Sequence, residues 1–232
     1  MPPFQETDHM ISASFVTSGL RMAVTVLGCL TCLGSAPQES WGGSSETYDF
    51  KVFLGKDEIG RQRFDVSTEG ERTRVRVDAQ FTVKFLYITV YTYRHTNVEL
   101  WEGTCLREIR AETDDNGESF FVTGIVRNGQ MQVQTQAGNW IGEGCIKTFA
   151  YWNLEWIKGE RLLNSQTGEH QPASMLIVGE ETISVQGVPT RTTHRRVITD
   201  KFTIDLWYTL NGRWVALHST TKKGDTLRYT LQ

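Results

Sequence analysis

The sequence contains little proline. Five of its 232 residues are proline, and only Pro172 and Pro189 lie beyond residue 46, both in loop-like contexts. Proline has no backbone N–H to donate within a sheet, so it is mostly confined to edge strands, bulges and loops. Little in this sequence therefore interrupts long β-strands.

An excess of charge of one sign is also missing. The 24 Lys and Arg side chains nearly balance the 27 Asp and Glu side chains, which gives a formal net charge of -3. A nucleic-acid-binding protein needs a clustered positive face. Arg72, Arg74 and Arg76 alternate with less polar residues, which is typical of a solvated strand face. The sequence therefore predicts no nucleic-acid partner.

Short catalytic motifs are absent. The sequence has no G-x-S-x-G, H-E-x-x-H, phosphate-loop or G-x-G-x-x-G pattern. No local signature supports a catalytic site formed by a histidine, an aspartate and a nucleophile. The residues available for such a site are His194, His218, Asp205, Cys105, Ser219 and Thr220. Cys105, Cys145, His194 and His218 also lack the close pairs of a zinc site. We predict no catalytic residue, no metal ligand and no cofactor, and favour a binding protein over an enzyme.

The apolar run Met22–Leu33 is too short for a transmembrane helix, which needs ~20 residues. Arg21 precedes this run, and the small residues Gly34–Ala36 follow it. This order is typical of a secretory signal peptide. We predict a signal peptide over residues 1–36, a linker over residues 37–46 and a periplasmic or secreted mature protein.

The cysteines divide into two pairs. Cys29 and Cys32 lie inside the apolar run, where Cys29 offers the alternative of a lipoprotein anchor. Cys105 and Cys145 belong to the predicted mature part, and an oxidising compartment permits a disulfide between them. The alternative is two buried free thiols. We predict the Cys105–Cys145 disulfide.

Alternation of apolar and polar residues dominates the mature part. Residues 73–83 place apolar side chains mainly at odd positions and polar ones at even positions, as in an antiparallel sheet with one wet face. Asn-Gly pairs at Asn116, Asn128 and Asn211 predict hairpins. We predict an all-β single domain over residues 47–232. Roughly ten to twelve strands would form a long curved sheet, a half-barrel or incomplete barrel.

Phe85–Tyr91 breaks this alternation, because it is apolar at almost every position. Either the strand is covered on both faces, or the segment turns and changes register. Both interpretations place it near a site where something packs on the second face of the sheet.

Aromatic residues are concentrated at Thr148–Ile157. Phe149, Trp152 and Trp156 have the i, i+3, i+7 spacing of one helical face. We predict one short helix here, packed on the concave side of the sheet. It would either cap a solid core or close an apolar ligand cavity.

Several motifs resemble an uncharacterised family of exported bacterial proteins, a domain of unknown function. The resemblance covers Glu46 to Gln232 and includes the following stretches: YDFKVFLGKDEIG, YTYRHTNVELWEG, ETDDNGESF, FAYWNLEW and LLNSQTGE. The resemblance implies no activity. The architecture is more distantly similar to the LolA/LolB lipoprotein carriers, in which a curved sheet wraps an apolar cavity.

Together these patterns favour non-enzymatic binding of a lipid-like or other apolar ligand. The predicted ligand-binding residues are aromatic: Phe85, Tyr87, Phe149, Trp152 and Trp156. The first alternative is a cell-envelope structural or interaction protein with a solid core, and the next is an exported hydrolase. Peripheral association with the cell envelope is a further alternative, and the oligomeric state is left open.

Overall fold

Thirteen antiparallel strands form one sheet in this computed structural model, and two further strands form a small second sheet. The structure describes residues 43–155, 157–158, 160–220, 224 and 226–232. The strands are β1 (Ser44–Leu54), β2 (Asp57–Glu69), β3 (Arg72–Phe85), β4 (Ile88–Glu102), β5 (Cys105–Asp115), β6 (Glu118–Arg127), β7 (Gln130–Thr135), β8 (Gly138–Glu143), β9 (Arg161–Leu163), β10 (His170–Pro172), β11 (Ser174–Val185), β12 (Val188–Ile198), β13 (Thr203–Thr209), β14 (Trp214–Thr220) and β15 (Thr226–Leu231).

The large sheet has the order β11-β12-β13-β14-β15-β1-β2-β3-β4-β5-β6-β7-β8. Every neighbouring pair is consecutive in sequence except β15 and β1, where Phe50 lies opposite Leu231. Within the described residues, β11 and β8 pair with one neighbour each and leave the sheet open. The predicted all-β fold with a long antiparallel sheet, curved into an incomplete barrel, is confirmed.

The alternation in β3 sets which face is buried. Thr73, Val75, Ala79 and Phe81 are buried, whereas the even-numbered residues between them are at least partly exposed. β3 has 14 residues and β4 has 15, well beyond the ~5–6 of an average strand. The inward side chains of these long strands form the concave face, where the core lies.

Two-residue turns join many of the strands. Asn116-Gly117 and Asn128-Gly129 form two-residue hairpin turns with positive φ at both positions, as the sequence predicts. The third Asn-Gly pair, Asn211-Gly212, lies in a longer connection, since β13 ends at Thr209 and β14 begins at Trp214.

The segment Phe85–Tyr91 turns instead of running as one covered strand. β3 ends at Phe85 and β4 begins at Ile88, and both turn residues, Leu86 (φ 48°) and Tyr87 (φ 69°), are left-handed. For residues other than glycine, this conformation costs about 1–2 kcal/mol each. The second interpretation of this segment is therefore correct.

The described residues of 144–173, which we call the covering segment, pack on the concave face. Leu106 donates its N–H to the carbonyl of Ile146, and the Tyr208 hydroxyl donates to the carbonyl of Tyr151. β9 and β10 belong to this segment and pair with each other. At three residues each, they are too short to give an alternating sequence pattern, and the strand count exceeds the predicted ten to twelve.

The prediction of a short helix at Thr148–Ile157 is wrong for the described residues, which form successive turns. The Asn153 side-chain oxygen accepts a hydrogen bond from the N–H of Glu155 at 3.0 Å. Such a local side-chain bond competes with the helical hydrogen-bond pattern. Thr148 also forms a β-bridge with Leu163, which keeps the start of the segment extended.

The predicted N-terminal signal peptide and most of the linker lie outside the described residues, as does Trp156. β1 begins at Ser44, so the last three residues of the predicted linker belong to a strand.

The disulfide between Cys105 and Cys145 is present, with the two Cα atoms 4.9 Å apart. It joins the beginning of β5 to the beginning of the covering segment. It closes a loop with a sequence separation of 40 residues, so it restricts the unfolded chain considerably.

We expect reduction of this disulfide to lower the free energy of unfolding by about 3–4 kcal/mol, because the unfolded chain regains the entropy of the closed loop. Urea denaturation with and without reductant measures the difference. The Cys105→Ser/Cys145→Ser double variant is the control, and reductant should leave its stability unchanged. Equal stability of oxidised and reduced wild type would contradict this account.

Candidate functional site

A cavity of about 130 Å³ lies between the concave face and the covering segment. Aromatic and aliphatic side chains form most of its wall, including Phe64, Val77, Phe81, Leu217 and Leu227. They come from β2, β3, β14 and β15, strands whose alternation turns these residues inward. The wall is therefore built from the middle of the large sheet.

The five predicted binding residues occupy different places. Phe149 and Trp152 line the cavity from the covering segment, although turns rather than a helix position them. Phe85 and Tyr87 lie at the exposed end of the β3–β4 hairpin and do not line this cavity, because the strand ends at the left-handed turn. Trp156 is outside the described residues.

A row of polar side chains on β4 forms one part of the cavity wall. His95, Asn97 and Glu99 are buried there between Tyr93 and Trp101. The residues predicted from the sequence do not include this row, although its inward direction could have been predicted. A register that turns Tyr93 and Trp101 inward must also turn inward the three polar residues between them.

Glu99 is 3% exposed and holds the polar row together. Its carboxylate accepts hydrogen bonds from Asn97 Nδ2 at 2.9 Å, Trp101 Nε1 at 2.9 Å and Thr148 Oγ1 at 3.3 Å. Burial raises the pKa of Glu99, and the three hydrogen bonds oppose this rise without cancelling it. This carboxylate connects β4 directly to the covering segment.

His95 is a neutral base at neutral pH. Burial lowers its pKa to about 4, and its Nδ1 lies 2.8 Å from the Thr113 hydroxyl on β5. A charged imidazole would lose its hydration here without gaining an acidic partner within hydrogen-bond distance.

Two polar atoms at the cavity form no hydrogen bond with another described residue: the acceptor Asn97 Oδ1 and the donor Gln166 Nε2. The other ends of both side chains are engaged, since Asn97 donates to Glu99 and Gln166 accepts from the Tyr93 hydroxyl at 3.2 Å. Leaving a buried polar group unsatisfied costs ~1–3 kcal/mol. Two residues that line the cavity therefore each have one buried polar atom without a partner among the described residues, an acceptor on Asn97 and a donor on Gln166.

The residues considered for catalysis do not assemble into a nucleophilic site in the described structure. His194 Nε2 lies 2.7 Å from Asp205 Oδ1, and the imidazole stacks on Trp207. Asp205 follows Ile204, which lines the cavity, so this cluster lies on the opposite face of the sheet. Cys105 is held in the disulfide.

Ser219 is separated from these histidines. It lines the cavity, whereas the adjacent His218 packs against Trp207 with ring centroids 4.5 Å apart. In addition, no group of three or more His, Cys, Asp or Glu side chains in the described ranges is arranged to hold a metal ion. The described residues likewise form no helix with the length and apolar character to cross a membrane.

A wider groove of about 660 Å³ lies beside the turn between β7 and β8. Trp140 stacks on His170 there, with ring centroids 5.4 Å apart, and donates to the carbonyl of Gly168 at 2.9 Å. None of the buried side-chain polar atoms without a hydrogen-bond partner among the described residues belongs to this groove. The smaller cavity is therefore the stronger candidate for a specific site.

We expect the wild type to lose about 3 kcal/mol of stability, relative to His95→Gln, as the pH falls from 7 to 4. The unfolded His95 binds a proton near pH 6.5, whereas the folded one does so only near pH 4. Its contribution is therefore present above pH 6.5 and is lost towards pH 4. Urea denaturation of both proteins at pH 7, 5.5 and 4 tests this, and parallel pH profiles would refute it.

Comparison with known proteins identifies the family of this chain and a protein of similar fold. The family model of DUF6134, a domain of unknown function, matches residues 50–232. A crystal structure of a β-barrel-like protein of domain of unknown function DUF1849 from Brucella abortus is similar in fold. Its TM-score is 0.58 at 8% identity, over 81% of this chain and 94% of that chain. No curated protein matches the sequence. Because the family model spans most of its length, the chain belongs to the DUF6134 family, a domain of unknown function.

Proposed function

We propose that this protein binds a small amphipathic molecule in the cavity, without chemical conversion, and does so outside the cytoplasm. The observation that carries the proposal is the pair of buried polar atoms Asn97 Oδ1 and Gln166 Nε2, which belong to residues that line an otherwise mainly apolar cavity and have no hydrogen-bond partner among the described residues. The predicted signal peptide supports the location. The ligand is thus narrowed from any apolar molecule to one with a polar end.

The size of the cavity limits the ligand. At about 130 Å³ it is smaller than the ~300–1,000 Å³ of most ligand pockets. It resembles the ~150 Å³ apolar cavity that accepts benzene in an engineered protein. The cavity is therefore suited to a molecule of about that size, or to the end of a longer lipid-like chain.

The polar atoms limit its chemistry. A ligand that satisfies both atoms donates a hydrogen bond to Asn97 Oδ1 and accepts one from Gln166 Nε2. A hydroxyl or a primary amide can both donate and accept. An anionic group is less suitable, because it can only accept and would lie near the buried carboxyl of Glu99.

One observation favours the alternative of a structural protein with a solid core. Trp214 packs closely with several rings, with centroid distances of 4.3 Å to Phe50, 5.2 Å to Phe64 and 5.7 Å to Tyr151. In this alternative the cavity is a packing defect, and its polar atoms have no ligand.

We expect benzyl alcohol to raise the melting temperature of the wild type more than toluene does, because only the alcohol satisfies the two polar atoms. Gln166→Met should remove this difference, since it deletes the donor. Gln171→Met is the matched control, because Gln171 is equally buried but does not line the cavity. If neither probe stabilises the wild type, the binding proposal fails and the solid core is favoured.

A pair of substitutions tests, with no ligand added, whether the interior beside Leu217 is a cavity or packed core. Leu217→Phe adds volume beside the cavity and should change stability by less than about 1 kcal/mol. The same change at Leu106, buried away from the cavity, should overpack the core and destabilise by about 1–3 kcal/mol. Urea denaturation measures both, and equal losses would mean that no usable space exists beside Leu217.

A further inference from the structure

The end of the β3–β4 hairpin exposes four consecutive large apolar side chains. Phe85 is 55% exposed, Leu86 75%, Tyr87 99% and Ile88 68%. We call Phe85–Ile88 the β3–β4 tip. Scattered exposed apolar residues are normal, but a contiguous group of this kind marks an interaction surface.

The two turn residues of the tip, Leu86 and Tyr87, are poorly suited to the backbone conformation that they adopt. Three other two-residue turns in the described chain have positive φ at both positions, and glycine occupies the second position in each: Asn116-Gly117, Asn128-Gly129 and Gln186-Gly187. The tip instead places Leu86 and Tyr87 in the left-handed conformation, where a Cβ is disfavoured. Neither the backbone preference of the turn nor contact with water explains why large apolar residues occupy these two positions.

The tip also extends beyond the strand pairing on either side of it. The outermost register pair between β2 and β3 is Gly60 with Phe81, and that between β4 and β5 is Tyr93 with Asp115. The hairpin continues past both pairs to Phe85 and Ile88, roughly 13 Å further at ~3.3 Å per residue, while β2 itself continues from Gly60 to Asp57 at the same end of the sheet. The apolar end therefore extends past the end of β5 and can reach a surface that faces this end of the sheet.

We propose that the β3–β4 tip inserts into the interfacial layer of a lipid bilayer. A stable protein interface buries ~800 Å² on each partner, which needs many more residues than these four. Insertion into a bilayer needs no complementary partner surface, only apolar side chains that leave water. The size of the exposed group therefore favours a bilayer over a protein.

The chemistry of the tip fits the boundary between headgroups and acyl chains. Tyr87, at the apex, combines an apolar ring with a hydroxyl, and such residues are enriched at this boundary. The pairing of Phe85 with Ile88 satisfies the hairpin backbone up to the turn, and the turn itself remains within reach of headgroups. Lys84 is exposed just behind the tip, at the depth of the phosphates.

A hydrogen bond to the neighbouring strand β5 holds the base of the β3–β4 hairpin in position. The Tyr91 hydroxyl donates to Asp115 Oδ1 on β5 at 2.6 Å, which anchors the extension to the sheet. Docking is independent of the proposed ligand binding, although Phe81 and Tyr93 of the same hairpin line the cavity.

The test is co-flotation of the full chain with phosphatidylcholine vesicles. Leu86→Asn/Tyr87→Gly gives the tip the Asn-Gly turn found elsewhere in the protein, so the variant should fold at least as well. It should bind vesicles at least about tenfold more weakly. Ile177→Asn is the control, because it removes an apolar side chain that is 71% exposed on the edge strand β11; its binding should equal that of the wild type.

A second measurement reports on the tip itself, whatever the N-terminal segment contributes to binding. In Tyr87→Trp, vesicles should shift the added tryptophan emission to shorter wavelength, and brominated phosphatidylcholine should quench it. An added emission that stays unshifted and unquenched overturns the proposal. So does self-association that requires Leu86 and Tyr87 without vesicle binding, which would assign the tip to a protein contact.

Discussion

The buried carboxylate of Glu99 is the contact on which the arrangement of the interior depends. An open sheet of thirteen strands buries one face, and that face needs a cover because nothing closes the sheet upon itself. The covering segment supplies the cover without a helix, so its polar backbone must find partners on the sheet. Glu99 accepts from Thr148 of this segment while it also orients Asn97 and Trp101 on β4. The disulfide fixes the same segment at its first residues.

This mode of attachment explains why the interior is not purely apolar. A cover made of turns brings side chains such as Gln166 into the core, and tyrosine hydroxyls of the sheet form hydrogen bonds with it. Tyr93 donates to Gln166, and Tyr208 donates to the backbone of Tyr151. The apolar walls and the polar row meet at the small cavity. The candidate site is therefore formed by the contact between the covering segment and the sheet, and by no further structural element among its lining residues.

The sequence predicts the parts of this fold that repeat. The alternation in β3 and the Asn-Gly turns predict long antiparallel hairpins because backbone geometry alone decides both. The helix at Thr148–Ile157 was mispredicted because spacing alone cannot show that Asn153 binds its own backbone. The inward direction of the polar row follows from the register of β4, but its link to the covering segment does not, because Thr148, which donates to Glu99, is 49 residues away in the sequence. Of the predicted site residues, Phe149 and Trp152 reach the cavity because the cover packs inward whatever its secondary structure.

The pairing of β1 with β15 has a consequence for how the protein folds. Strands β1 to β8 form one series of local hairpins, and β11 to β15 form another. Among the described residues, the two series pair with each other in the sheet only through β15, which must find β1 across nearly the whole domain. Until then the chain is two separate half-sheets with exposed edges. Because such distant contacts close slowly, we expect this junction to limit the folding rate and to be the stage most exposed to aggregation.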